Sequence, residues 1–269
     1  MKKEDRIRFI KSLKLAATKE PFRSQYLDLT STYKKFFHRV RNRAIFLPWH
    51  RAFLLRLENL LFQIDCRITL PYWDWSQTSR NPWELNDPKS VWNKGHDGLG
   101  GNGTEPKNCV TSGPFREGHW YITMDQDKTT CLKRHFHGNL PDPQNIQTVL
   151  SLPCEKFSDF ENMLRVTFHH SVACDNIGGH ICSEEAAQTP EFILITSFVD
   201  KLWGQWQNIS DLHRDTGYPK VSNNLPGFYL SYVGDMLRLD RQPDCVSIIY
   251  DKARKTEGVK CSACSSKGD

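Results

Sequence analysis

The sequence predicts a mainly α fold, a four-helix core with long loops pinned by disulfides. Four segments repeat apolar residues at three-to-four spacing. Hydrophobic residues make up 38% of the 269 residues and aromatics 12%, with eight Trp, which is enough for a sizeable core. Nine cysteines accompany a long Gly-, Pro-, Asn- and Asp-rich stretch. The length suits one large domain or two small ones.

The basic stretch Met1 to Lys19 reads as one exposed helix face. The first core helix spans about Ser24 to Val40, with Tyr26, Leu29, Tyr33, Phe36 and Phe37 on its stripe. The second begins near Pro48 and aligns Phe53, Leu54, Leu57, Leu60, Leu61 and Ile64. The third begins at Ser158, where Ser158-Asp-Phe-Glu161 spells a capping box. Its stripe is Phe160, Met163, Leu164, Thr167 and Phe168. Thr189-Pro190 opens the fourth as a cap followed by proline in the first turn. Phe192, Val199 and Trp203 share one of its faces, beside Ile195, Leu202 and Trp206. From about Ser76 to Pro153 no long helical period is found, and Cys109 and Cys131 within it, Cys154 at its end and several Trp and Phe are expected to order that loop. Residues 251–269, which include Cys261-Ser-Ala-Cys264, read as a flexible tail.

The net charge of +5 is well mixed along the chain, as on a solvated surface, and does not suggest a nucleic-acid partner. No run of about 18 apolar residues offers a membrane span. The opening Met-Lys-Lys-Glu-Asp carries no apolar signal-peptide stretch, as a mature domain would not. Disulfides in an oxidising compartment are the simplest account of the cysteines, so a secreted, extracellular location is expected. Because nine is odd, at least one thiol is free or pairs with another chain. Asn102-Gly-Thr104 and Asn208-Ile-Ser210 fit the glycosylation acceptor pattern.

Phe46-Leu-Pro-Trp-His-Arg-Ala-Phe-Leu54, then Glu58, then Leu70-Pro-Tyr-Trp-Asp-Trp-Ser76 form a specific set. Ile177-Gly-Gly179, Ala186 to Pro190, Glu191-Phe192 and Phe198-Val-Asp-Lys-Leu-Trp203 form a second. Ser112-Gly-Pro-Phe-Arg-Glu-Gly118 and Arg134-His-Phe-His-Gly-Asn139 lie between them. Together they resemble the two copper regions and connecting segments of the tyrosinases and molluscan haemocyanins, the type 3 copper family. The likeness covers about Ile7 to Tyr250 and implies one tyrosinase-like domain over residues 1–250. It implies a four-helix core in which two coppers, each held by three histidines, bind dioxygen and oxidise phenols to quinones.

Carried over position by position, the ligand set is mostly changed. His50, in Pro-Trp-His-Arg, matches the third ligand of the first region. Arg41 stands nine residues earlier, where the second belongs, and Tyr33 matches the first. His38 is off register and reads as surface. In the second region the family's His-x-x-x-His pair is broken. One alignment pairs His170 with Cys174; the other pairs His169 with Ala173, implies a one-residue insertion and keeps Cys174 free to bridge Cys182. Thr196 replaces the last ligand and Ile195 its neighbour. Four of six positions are thus changed, leaving His50 and one of His169 or His170 as remnant metal ligands.

A copper site needs imidazole or soft donors in fixed array. Tyr33 ligates only after losing a proton with a reference pKa of about 10. Arg41 is a permanent cation, and a divalent ion about 4 Å away is repelled by roughly 8 kcal/mol at an effective dielectric near 20. The sequence therefore suggests a non-catalytic tyrosinase-like protein with no cofactor expected and a binding, structural or matrix role. An extracellular matrix component or a small ligand is its partner class. One alternative is a copper-dependent phenol or catechol oxidase using His38, His50, His169, His170 and His180. Another is a mononuclear metal protein using His50, a second-region histidine and Cys174. His135-Phe-His137 places two imidazoles on one face of a strand, although a solvated loop is the plainer reading there.

Overall fold

The computed structural model describes residues 2–41, 45–218, 223–240, 242 and 247–250. The proposed tail, residues 251–269, and Cys245 lie outside these. The fold is mainly α, as expected. Helix α1 runs Lys3–Thr18, α2 Phe22–Val40 and α3 Phe46–Ile64. After the long loop come α4 (Pro143–Leu150) and α5 (Phe157–Asn162), which continues directly into a π-helical stretch, Met163–Ile177. Helix α6 is Pro190–Gln207 and α7 is Asp211–Asp215. No helix among the described residues is long and apolar enough to cross a membrane.

Helices α2, α3, α6 and the α5–π rod form the core, with α1 packed against α2 and α3. Every residue of α6 from Pro190 to Asp200 is buried, so this helix is the axis about which the others sit. The reading of α1 as merely an exposed face is corrected. Phe9, Ile10, Leu13 and Ala16 are buried, and Arg6 reaches inward to Asp97 at 2.6 Å.

The third helix also differs from expectation. It starts at Phe157, with Lys156 at the cap position, and no capping box forms at Ser158. Glu161 instead pairs with Arg165 at 2.7 Å. Beyond Met163 the buried residues are Leu164, Phe168 and His169, Val172 and Ala173, then Asn176 and Ile177. That spacing is wider than 3.6 residues and moves Thr167 out to solvent. Winding with i→i+5 bonds makes each turn wider than in an α-helix.

The loop between α3 and α4 is ordered by four devices. Two antiparallel hairpins pair β1 (Gly103–Thr104) with β2 (Cys109–Val110) and β3 (Tyr121–Thr123) with β4 (Thr129–Cys131). The Cys109–Cys131 disulfide joins them. Trp73, Trp83, Trp92 and Phe136 pack as one aromatic cluster, with Trp83 stacked on Phe136 at 4.4 Å. Arg134 is fully buried, pairs with Glu191 at 2.8 Å, and also donates to the carbonyls of Leu99, Gly100 and Gly101. An isolated buried charge is costly, so this pairing fixes the loop to the start of α6. Gly179 lets the turn after the π stretch approach Lys133, since a Cβ there would lie 2.1 Å from the Lys133 carbonyl oxygen.

Among the described cysteines, Cys174 bonds Cys182, Cys66 is also disulfide-bonded, and Cys154 is a buried free thiol.

Candidate metal centre

The four core helices bring Tyr33, His50, His169 and Thr196 into one apolar interior. His50 lies on the second turn of α3. Its Nδ1 donates to the Phe46 carbonyl at 2.8 Å, one turn back. The proton is therefore on Nδ1, and the lone pair on Nε2 faces the interior, where that buried atom has no partner. Metal-bound imidazoles are commonly oriented by such a bond.

His169 faces His50 from the π stretch, with ring centroids 5.5 Å apart. Its Nε2 lies 3.4 Å from the Thr196 hydroxyl oxygen on α6. Phe46 packs against both imidazoles, at 4.6 Å and 5.2 Å, and Phe192 closes another side. Burial is the main reason both histidines are held neutral. The His50 pKa falls to about 4, with the Arg41 charge adding to the effect and the Phe46 bond opposing it. His169 is pushed well below the usual range by burial, then by the charges of His50, Arg41 and His170.

Tyr33 stands where the first ligand was expected and is 1% exposed. Its ring touches Phe37, Trp49, His50, Phe53 and Phe192, with Phe192 nearest at 5.0 Å. Burial raises its pKa, only partly offset by Arg41, so the phenol keeps its proton.

Arg41 caps α2, and its guanidinium lies over the Phe37 ring at 4.8 Å. Its Nη2 donates to Nδ1 of His170 at 2.6 Å and approaches Cys174 Sγ at 3.9 Å. The two adjacent histidines thus part ways, His169 turning into the centre and His170 toward Arg41. Ala173 is buried but offers only a methyl group, and the Cys174 sulfur is spent in its disulfide. The mononuclear set containing Cys174 is therefore corrected, because a disulfide sulfur is not a thiolate. His38 is exposed, and His180 accepts the Lys133 backbone N–H at Nδ1, so neither joins the two facing imidazoles.

His50 and His169, one from each of the two motif regions, face each other, and the Trp-rich segment docks on α6, where the Trp73 N–H donates to the Leu194 carbonyl. Residues 14–209 match the family model for the common central domain of tyrosinase. The chain belongs to the tyrosinase family. It is 38% identical to a tyrosinase of Streptomyces lincolnensis over 189 residues, covering 64% of this chain and 65% of that protein. Grixazone synthase of Streptomyces griseus is 28% identical over 224 residues, covering 67% of this chain and 68% of that protein. Hemocyanin 2 of Megathura crenulata is 26% identical over 179 residues, 62% of this chain and 5% of that much longer protein. The chain thus spans just under two thirds of the first of these tyrosinases.

Membership overturns the expectation that no cofactor is bound. The family's cofactor is a copper pair, relatives that match are named tyrosinases, and nothing among the described residues shows that copper binding is lost. Two neutral, buried imidazoles remain, one of them with an unpartnered ring nitrogen. The donor set nevertheless does not fit three imidazoles on each of two ions. At the matching positions it supplies His50 and His169, a protonated phenol, a guanidinium, a methyl group and a hydroxyl. Tyr33 and Arg41 carried a signal in the sequence. The orphaned Nε2 of His50 and the Arg41–His170 bond did not, because both depend on side-chain direction.

Proposed function

We propose that this tyrosinase-family chain does not turn over phenols and serves a binding or structural role outside the cell. The observation that carries the reading is Arg41, a permanent cation bonded to His170 where the family places a neutral ligand. Dioxygen chemistry on a metal pair needs both ions held in fixed geometry, and the centre offers one imidazole from each copper region. Two disulfides between described cysteines support an oxidising compartment, and the exposed Asn208 suits a glycan. The deciding experiment adds copper to the purified chain and follows catechol oxidation with the absorption of a dioxygen-bridged copper pair. Neither signal is expected; sustained quinone formation overturns the proposal.

A second reading is a single transition-metal ion held between His50 and His169. The unpartnered Nε2 of His50, set by its Nδ1 bond, favours it. Mass spectrometry of the folded chain after copper or zinc exposure would find one ion fewer in His50→Ala than in the wild type. The same number of ions in His50→Ala as in the wild type removes this reading.

A further inference from the structure

We propose a second metal site, on the surface, formed by His135 and His137. Both residues are exposed, and their ring centroids lie 4.0 Å apart. The segment is extended, so alternate side chains leave one face together. This is shorter than the 5.5 Å between His50 and His169 and suits two nitrogens on adjacent corners of one ion's coordination shell.

The backbone beneath the pair is fixed. His135 N–H donates to the Ile177 carbonyl at 2.8 Å, and His137 N–H donates to the Asn176 carbonyl at 2.7 Å. Trp83 Nε1 donates to the carbonyls of His137 and Gly138. Phe136, between the two histidines, is clamped by Trp83 and Trp92, and its N–H donates to Asn102 Oδ1. A chelating pair built on such a frame gives up little backbone freedom on binding.

The end of the helical rod beneath the pair favours a cation, opposed by the charge of Lys133 two residues before His135. Asn176 and Ile177 end the helical rod that starts at Phe157, and the C-terminal end of a helix carries partial negative charge. Arg134, the residue before the pair, is buried, and its charge is matched by Glu191. The occupant is a divalent ion of borderline softness, such as nickel, copper or zinc, with water filling the remaining positions. It is independent of the His50–His169 centre, which lies inside the helices.

Isothermal titration of the untagged chain with nickel chloride at pH 7.5 tests the site. The wild type is expected to bind one ion here. His135→Ala and His137→Ala should each weaken binding by about tenfold or more, since each breaks the chelate. His50→Ala should leave this event unchanged. Both surface substitutions are exposed, so an unaltered thermal midpoint will accompany the loss. A His135→Ala/His137→Ala double variant that titrates like the wild type, or a wild type that takes up no nickel at millimolar concentration, overturns the proposal.

Discussion

Arg41 Nη2 donates to Nδ1 of His170 at 2.6 Å, which ties the end of α2 to the π-helical stretch. His170 is the acceptor in this bond and is turned away from its neighbour His169. The same guanidinium lowers the proton affinity of His50 and His169 through its charge.

Replacing the cation tests that influence. In Arg41→Gln, both buried imidazoles lose a positive neighbour that disfavours their charged forms. Their pKa values are expected to rise, read by NMR titration of the ring protons. Burial remains the larger cause, so both should stay below 6.5, the free imidazole value. Unmoved titrations would mean that the charge is screened from the centre.

Restoring imidazoles tests the proposed loss of turnover. The combined variant Tyr33→His/Arg41→His/Ala173→His/Thr196→His supplies a histidine at each changed position. Catechol oxidation with copper is expected from it and not from the parent chain. The buried sites at 173 and 196 gain volume, at a cost of about 1–3 kcal/mol each. Thermal unfolding therefore accompanies the assay, and a folded variant that remains inactive would count against the position-by-position reading.

Acid should weaken the fold through His50. Its folded pKa is about 4, against about 6.5 in an unfolded chain. Between these values the unfolded state binds more protons, so stability rises with pH and falls on acidification from 6.5 toward 4. The full window amounts to about 3 kcal/mol, and His169 acts in the same direction. Urea unfolding at pH 4.5, 5.5 and 7 would trace it. His50→Phe should flatten the curve between pH 4.5 and 6.5.

The Arg134–Glu191 pair sets a larger stake. Arg134→Ala strands a fully buried carboxylate and uncaps three loop carbonyls, and should cost about 3–5 kcal/mol in denaturant unfolding. Arg134→Met with Glu191→Leu should recover a good part of that loss, because no buried charge is then left alone. A single variant as stable as wild type would show the loop to be held by other contacts.

How much of this was legible in the sequence depends on the kind of signal. Helices α2, α3 and α6 announced themselves by apolar spacing and by Thr189-Pro190. The capping box at Ser158 misled because the preceding turn, Cys154–Lys156, runs straight into the helix and carries its start back to Phe157. Thr167 misled because the apolar period was taken as α-helical where the chain winds more widely. Helix α4 did carry a signal in Asp142-Pro143 and Asn145, whose side chains cap reciprocally. At the centre, the identities of Tyr33, Arg41 and Thr196 were readable by register. Which of His169 and His170 faces inward was not, since neighbours on a helix differ by about 100° and an inserted residue shifts the phase.

Arg51, the residue after His50, is wholly buried and pairs with Asp200 at 2.8 Å, while Gln207 and the Met236 carbonyl take another of its nitrogens. That arrangement works as an index pin. Turning α3 by a single residue would drag a guanidinium off its carboxylate, so the helix has one permitted rotation. His50 inherits this alignment from its neighbour and keeps its bearing toward the interior whether or not an ion is there to hold it.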